Sequence, residues 1–321
     1  MELKIQIYIL CRDRPEFAMH AIGSVVNSAN ENTEVIISDN SVTNSVKEMC
    51  RKHFSAIKYI KRNPPLASAE HFKVILDEAS EDFLALFHDD DIMLPNYVAK
   101  MMSIIEGNPS AVAVGCNSLF FYDGEKYPFT LAHRFKFQIS FKDEVSFFIQ
   151  NLCDPRGIAP FPSYIYRTKF LSSSFVNLNH GGKYSDVSFL SKLLSLGEFI
   201  WIPDPLMLTR VHRGNDSGNI SIPDKLKLIR YMIARGIEKK STRIKRYKFE
   251  YWRIWFSDRG YADFSLRGAW RVRIVRKFLI TFVFFRMTKF FYYQSLIQRI
   301  KSKFLFDSRL RELSELIEHY K

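Results

Sequence analysis

Cysteine is scarce in this chain. Cys11, Cys50, Cys116 and Cys153 lie far apart, with no CxxC pair and no Cys/His cluster. That spacing excludes a disulfide framework and argues against structural zinc. Long apolar runs are also lacking. The most apolar stretch, Phe278–Phe285, is followed at once by Arg286 and Lys289, whereas a spanning helix needs about 20 apolar residues. Met1–Leu10 interleaves Glu2, Lys4 and Gln6 with apolar residues, a strand-like pattern rather than a signal peptide. These absences lead us to expect a cytoplasmic protein. Glycine is missing from Cys11–Pro15, just after the first apolar run. A nucleotidyltransferase acting on a sugar phosphate would place a glycine-rich phosphate loop there, so that class is disfavoured. No internal repeat and no low-complexity linker is visible.

Core material is ample: 47% of the residues are hydrophobic, 25% charged and 15% aromatic. That composition excludes a disordered tail. The formal charge is +13, and it is unevenly placed. Residues 225–321 hold 25 Lys+Arg and 8 Asp+Glu, whereas residues 1–224 hold 22 and 26. We therefore expect a slightly acidic domain over 1–224 and a basic region over 225–321 that meets an anionic partner.

Strand and helix signals alternate along the first half. Apolar strands are expected at Ile5–Leu10, Glu34–Ser38, Ile57–Ile60, Phe83–Phe87 and Ala111–Cys116. Helices are expected from Pro15, over Ser68–Ala79, and from Pro95 to Gly107. The pattern continues with a helix over Ser140–Leu152, a strand at Ser163–Tyr166 and a helix over Ser185–Leu196. Strands at Phe199–Ile202 and Leu206–Val211 follow, and from Asp224 the reading is helical. This alternation predicts an α/β fold with a mixed, mostly parallel sheet flanked by helices. Ligands of such sheets bind beyond the carboxyl ends of the strands. Arg12–Asp13, Asp39 and His88–Asp91 all fall at such ends. Arg12 and Asp13 are candidates for contact with a base or a phosphate, the plain alternative being solvated loop charges.

His88-Asp89-Asp90-Asp91 carries the chemistry. Three adjacent carboxylates repel one another. A divalent cation removes that cost, and oxygen ligands suit Mn2+ or Mg2+, which would hold the phosphates of a nucleotide. The alternative is a solvated acidic turn.

The run Phe83-Leu-Ala-Leu-Phe-His-Asp-Asp-Asp-Ile-Met-Leu-Pro95 resembles the metal-binding DxD segment of family 2 glycosyltransferases with the GT-A, Rossmann-like fold. Ile5–Phe17 resembles the family's first strand and nucleotide-contacting loop, and Val35–Ser41 its second strand with a base-recognising Asp, here Asp39. Tyr59–Asn63 resembles the loop before the DxD strand, which makes Asn63 a donor-binding candidate. Tyr184–Leu190 resembles the catalytic-base helix, and Arg210-Val-His212 the segment after it. The likeness covers roughly residues 3–220.

The resemblance implies Asp90 as the direct metal ligand, Asp89 at the ribose, and Asp91 binding through water or orienting the site. It implies Asp186 as the general base, Arg210 as a neutraliser of phosphate charge, and His212 at the diphosphate or the metal. Two departures stand out: His88 occupies the place of a usual Asp, and Ser185 that of the first carboxylate at the base helix. The implied activity is inverting transfer of a sugar from a nucleotide sugar, with UDP-sugars favoured, to a saccharide or lipid-linked acceptor in surface-polysaccharide assembly. The proline-stiffened loop Pro155–Ser163 is expected on the acceptor side.

The basic region mixes Lys and Arg with aromatics, notably over Trp270–Tyr293. An anionic membrane surface is the expected partner, which would make the protein peripheral on the inner face of the membrane. The alternative is an aromatic core of a helical subdomain. No nucleic-acid motif accompanies these residues, so no nucleic-acid partner is expected. Phe306, Leu310, Leu313 and Ile317 share one helical face suited to packing or to a homo-oligomer contact. A non-catalytic membrane- or polymer-binding protein is the reading from outside enzymes.

Overall fold

The computed structural model describes residues 2–122, 130–132, 137–153, 161–212, 221–245 and 247–248. Pro155, Pro160, Phe278–Phe285 and the face carrying Phe306 and Ile317 lie outside the described residues.

The strands are β1 (Ile5–Cys11), β2 (Thr33–Asp39), β3 (Lys58–Lys61), β4 (Phe83–His88), β5 (Ile92–Met93), β6 (Ala111–Tyr122), β7 (Thr130–Leu131), β8 (Ile139–Phe141), β9 (Tyr164–Arg167) and β10 (Glu198–Val211). The helices are α1 (Pro15–Ser28), α2 (Ser45–His53), α3 (Ser68–Glu78), α4 (Tyr97–Glu106), α5 (Glu144–Cys153), α6 (Ser185–Leu193) and α7 (Ile222–Ala234). The sheet runs in the order β3-β2-β1-β4-β9-β6-β10-β5, with β7 added to β6 and β8 to β10. β3, β2, β1 and β4 are mutually parallel, as are β6 and β10, while β9 runs antiparallel between β4 and β6. Phe83–Phe87 is buried throughout, as expected for a parallel strand covered on both faces.

Most expected elements appear within a residue or two. α2 was not expected: it buries only Val46 and Cys50, too few positions for an apolar period to emerge. α5 begins at Glu144 rather than Ser140, because the Asp143 carboxylate accepts from the Ser146 N–H at 2.8 Å and sets the helix start there. The two expected strands at 199–211 form one, β10, whose pairing with β6 shifts register on either side of Pro205. Prolines without an N–H force that irregularity but do not end the strand.

The first compact unit runs to Tyr247, beyond the boundary that charge suggested at 224/225. α7 explains the difference. It buries Leu228, Ile229 and Met232, each contributing about 1.5–3 kcal/mol. Burial of one face, rather than the charge on the other, decides where the unit ends.

Beneath β2 lies a buried polar cluster. His71 Nε2 is 2.7 Å from Ser38 Oγ, Arg62 Nε donates to that same oxygen at 2.9 Å, and Arg62 forks onto Glu78 with two 2.6 Å bonds. Burial, helped by Arg62, lowers the His71 pKa to about 4. Between about 6.5 and about 4 the unfolded chain therefore holds a proton that the folded chain refuses. The stability from neutral His71 is full above about 6.5 and is lost as pH falls through about 4, up to ~3 kcal/mol in all. Urea unfolding between pH 7 and pH 4 should show this loss, and His71→Gln should flatten it. An unchanged slope in that variant would remove His71 as the cause.

Candidate active site

Register brings the site together. Cys11 pairs with Asp39, and Leu10 pairs with His88. The residues after β1, β2 and β4 therefore emerge side by side at one sheet edge. From the other direction, β5 pairs antiparallel with β10, Ile92 facing Leu208 and Met93 facing Met207. Continuing that register sets Arg210 beside Asp90, with His212 beyond it.

The acidic run is buried: Asp89 is 0%, Asp90 8% and Asp91 3% exposed. Arg14 holds two of the carboxylates and β10 the third. Asp89 accepts the Arg12 backbone N–H at 2.7 Å and Arg14 Nη2 at 2.5 Å. Asp90 accepts Arg14 Nη1 at 2.8 Å and lies 3.1 Å from His212 Nε2. Asp91 accepts the Arg210 backbone N–H at 3.1 Å, and Arg210 Nε donates to the Asp90 carbonyl at 3.1 Å. The Arg210 guanidinium lies over the rings of Phe17, at 4.5 Å, and Phe121, at 4.6 Å.

Burial dominates the electrostatics of two of the three carboxylates. It pushes Asp89 up to about 7 against the pull of Arg14. It also raises Asp91 well above the ordinary range, with the Asp90 charge adding to the effect. At Asp90 burial acts in the same sense, but attraction to His88, then to Arg14 and His212, outweighs it and its pKa is lowered. Burial lowers the pKa of His88, which favours the neutral imidazole.

Ligand atoms of His88, Asp90 and Asp91 lie within 4.8 Å of one another. One neutral imidazole and two carboxylates fit a small divalent cation, and the nitrogen favours Mn2+ over Mg2+. His212 is not in that trio; it hydrogen-bonds to Asp90 from outside it.

Asp39 heads a second cluster. It is fully buried and accepts from Ser41 N–H at 2.9 Å, Lys61 Nζ at 3.0 Å and the Tyr59 hydroxyl. These three donors take up three of the roughly four acceptor sites of the carboxylate. Asp13 links the two clusters. Its N–H donates to Ser41 Oγ at 2.7 Å, and its carboxylate accepts from the Val42 and Thr43 N–H groups at 3.0 and 3.1 Å. The bonds to its side chain stabilise the left-handed backbone of Asp13, at φ 53°. Asn63 is exposed, and no hydrogen bond ties its side chain to either cluster among the described residues.

Asp186 lies in the first turn of α6, a favourable position for a negative charge. Gly181 and Gly182, at φ 152° and 58°, make the turn into the helix. A Cβ on Gly182 would sit 2.0 Å from the Asp224 carboxyl, so the α7 start also needs glycine there. Burial raises the Asp186 pKa, opposed by the Val187 backbone N–H and then by attraction to Lys225. Lys225 is 9% exposed, with its Nζ 2.7 Å from Tyr247 Oη and 3.7 Å from the Tyr184 ring centre. No hydrogen bond joins Asp186 to the acidic run among the described residues.

The structure thus gathers Arg12, Asp89, Asp90, Asp91, Arg210 and His212. It adds Arg14, His88, Tyr59, Lys61 and Lys225, to which the sequence gave no such role. Arg14 had a legible signal: it follows β1 directly, and β1 and β4 are parallel neighbours. Lys225 had none, because its partner lies on another helix.

The family model described as "Glycosyl transferase family 2" matches residues 7–167, half of the chain. Among solved structures, residues 1–349 of S. aureus TarS in complex with UDP-GlcNAc align with TM-score 0.55 and 13% identity, over 84% of this chain and 78% of that one. The mannosyltransferase PcManGT from Pyrobaculum calidifontis, in complex with GDP-Man and Mn2+, aligns with TM-score 0.55 and 11% identity, over 96% and 88%. No match was found among curated proteins.

Proposed function

This chain belongs to glycosyl transferase family 2 and has the GT-A fold, and we propose that it transfers a sugar, with inversion, from a nucleoside-diphosphate donor to a hydroxyl group. The observation that carries the proposal is the meeting of Asp89–Asp91 with Arg14, Arg210 and His212 at one sheet edge. The donor would be a nucleotide sugar, with a UDP-sugar favoured; the TarS structure holds UDP-GlcNAc and the PcManGT structure holds GDP-Man. The acceptor would be a saccharide or a lipid-linked saccharide in surface-polysaccharide assembly.

His88, Asp90 and Asp91 would hold the cation, which when bound neutralises charge developing on the leaving diphosphate. Arg210, lying over two rings, keeps a permanent positive charge at the same edge. The Asp39 cluster braces the loop over which the base would lie, and Lys61 and Tyr59 offer donors there. Asp186 would take the proton of the acceptor hydroxyl as its oxygen bonds to the anomeric carbon and the carbon–diphosphate oxygen bond breaks. Burial makes this carboxylate a stronger base than a solvated one. Asn63 and Arg12 would contact the donor from the exposed positions that follow β3 and β1.

Among the described residues no helix is long and apolar enough to cross a membrane. An anionic membrane surface is a proposed partner of residues 225–321, and a second copy of the chain is a further proposed partner. Vesicle sedimentation and sedimentation velocity test them; equal binding to neutral and anionic vesicles, or none to either, would remove the membrane.

The test of function supplies sugar nucleotides singly with Mn2+ and follows nucleoside diphosphate release. One donor should stand out, and NMR of the product should give the anomer opposite to that of the donor. Retention would sink direct displacement, and no release from any donor with a range of acceptors would sink the transfer reading.

A further inference from the structure

Of the two arginine side chains at the acidic run, one is buried and the other is partly exposed. Arg210 is 7% exposed, with its guanidinium carbon 4.5 Å from the Phe17 ring centre and 4.6 Å from that of Phe121. Arg14 precedes α1 and its side chain is 34% exposed. Its Nη1 lies 2.8 Å from Asp90 Oδ2 and 3.2 Å from His212 Nε2, while Nη2 lies 2.5 Å from Asp89 Oδ1. The carboxylate oxygen that faces Arg14 is thus bridged before any ligand arrives.

A cation bound to that Asp90 oxygen at roughly 2.1 Å would lie at most about 5 Å from Arg14 Nη1. Like charges that close, in a buried site, repel with little screening. We propose that Arg14 is the exchangeable counter-cation of Asp89 and Asp90: it neutralises the site at rest and leaves Asp90 when a divalent cation binds. This deepens the transfer reading and rests on its metal site. Arg14 is then a positioning residue whose departure couples metal entry to a change at the start of α1. It also limits metal affinity, because apparent affinity falls by the fraction of time the ligand oxygen is free.

The experiment titrates Mn2+ into wild type, Arg14→Met and Arg14→Lys, reading free Mn2+ by electron paramagnetic resonance and folding by circular dichroism. If Arg14 holds Asp90 about nine-tenths of the time, Arg14→Met should bind Mn2+ about tenfold tighter. Arg14→Lys keeps the charge without the two-pronged fork, so its gain should be smaller. Saturating Mn2+ should also raise the melting temperature of Arg14→Met more than that of wild type, because its resting site lacks a counter-charge. Unchanged or weaker Mn2+ binding in folded Arg14→Met overturns the exchange and leaves the metal reading standing. Should Arg14→Met fail to fold, Arg14→Lys decides, and no gain there overturns the exchange. Absence of Mn2+ binding in all three proteins overturns the exchange and the metal reading together.

Discussion

Asp90→Asn should lower sugar transfer about 10³-fold, in the range seen when one transition-state stabiliser is removed. The substitution keeps shape and volume and removes only the charge. That charge is the one the site favours most: among the three carboxylates, Asp90 alone has its pKa lowered, His88, Arg14 and His212 together outweighing burial. It also belongs to the convergent trio with His88 and Asp91. Without it, the diphosphate would leave against uncompensated charge. The fold should survive, because Asp90 adds repulsion to the already raised Asp91. The substitution removes that repulsion as well as the ion pair with Arg14. Melting temperature and initial rate across a Mn2+ titration test both halves. Transfer at the wild-type rate at limiting Mn2+ would take Asp90 out of the metal site.

Asp186→Asn should lower kcat by about 10³-fold while leaving the donor KM near its original value, as expected for a general base. The residue sits on α6, separate in the chain from the residues proposed to hold the donor. The acid limb of the kcat profile offers a second check. Burial raises the Asp186 pKa, and the Val187 backbone N–H and then Lys225 oppose the rise. Removing Lys225 removes only an opposing effect. Lys225→Met should therefore move the acid limb to higher pH, since the base must be ionised to act and the rate falls as pH drops through its pKa. A donor KM that collapses in Asp186→Asn while kcat survives would show that the base has been misassigned. An acid limb unmoved in Lys225→Met would uncouple the two residues.

Much of the first unit was legible because its signals are local. Phe83–Phe87 ending on a polar run, and Pro15 at the first turn of α1, each declare a boundary within a few residues. α2 escaped because two buried positions make no period. The joining of two expected strands into β10 escaped because Pro203 and Pro205 read as breaks, while the neighbouring strand tolerates a bulge. Asp39 was legible as the end of a strand, but its three donors come from Ser41 and from Tyr59 and Lys61 on β3. A turn aspartate and a buried, fully engaged one look alike in one dimension.

The sequence by itself determined the alternation of strands and helices through β4, α2 excepted, the acidic run at the end of β4, and the excess of positive charge past residue 224. Apolar spacing, helix breakers and charge act over short distances along the chain and need no fold to be read. Only the tertiary structure decided which cations meet which carboxylates. Arg14 reaches Asp89 and Asp90 through the parallel register of β1 and β4, and Arg210 reaches Asp91 through the antiparallel register of β5 and β10. Lys225 crosses the charge boundary because α7 must bury Leu228, Ile229 and Met232, and that burial carries the lysine into the neighbourhood of Asp186. Electrostatic partners are chosen by distance in space, and the packing of apolar faces sets that distance.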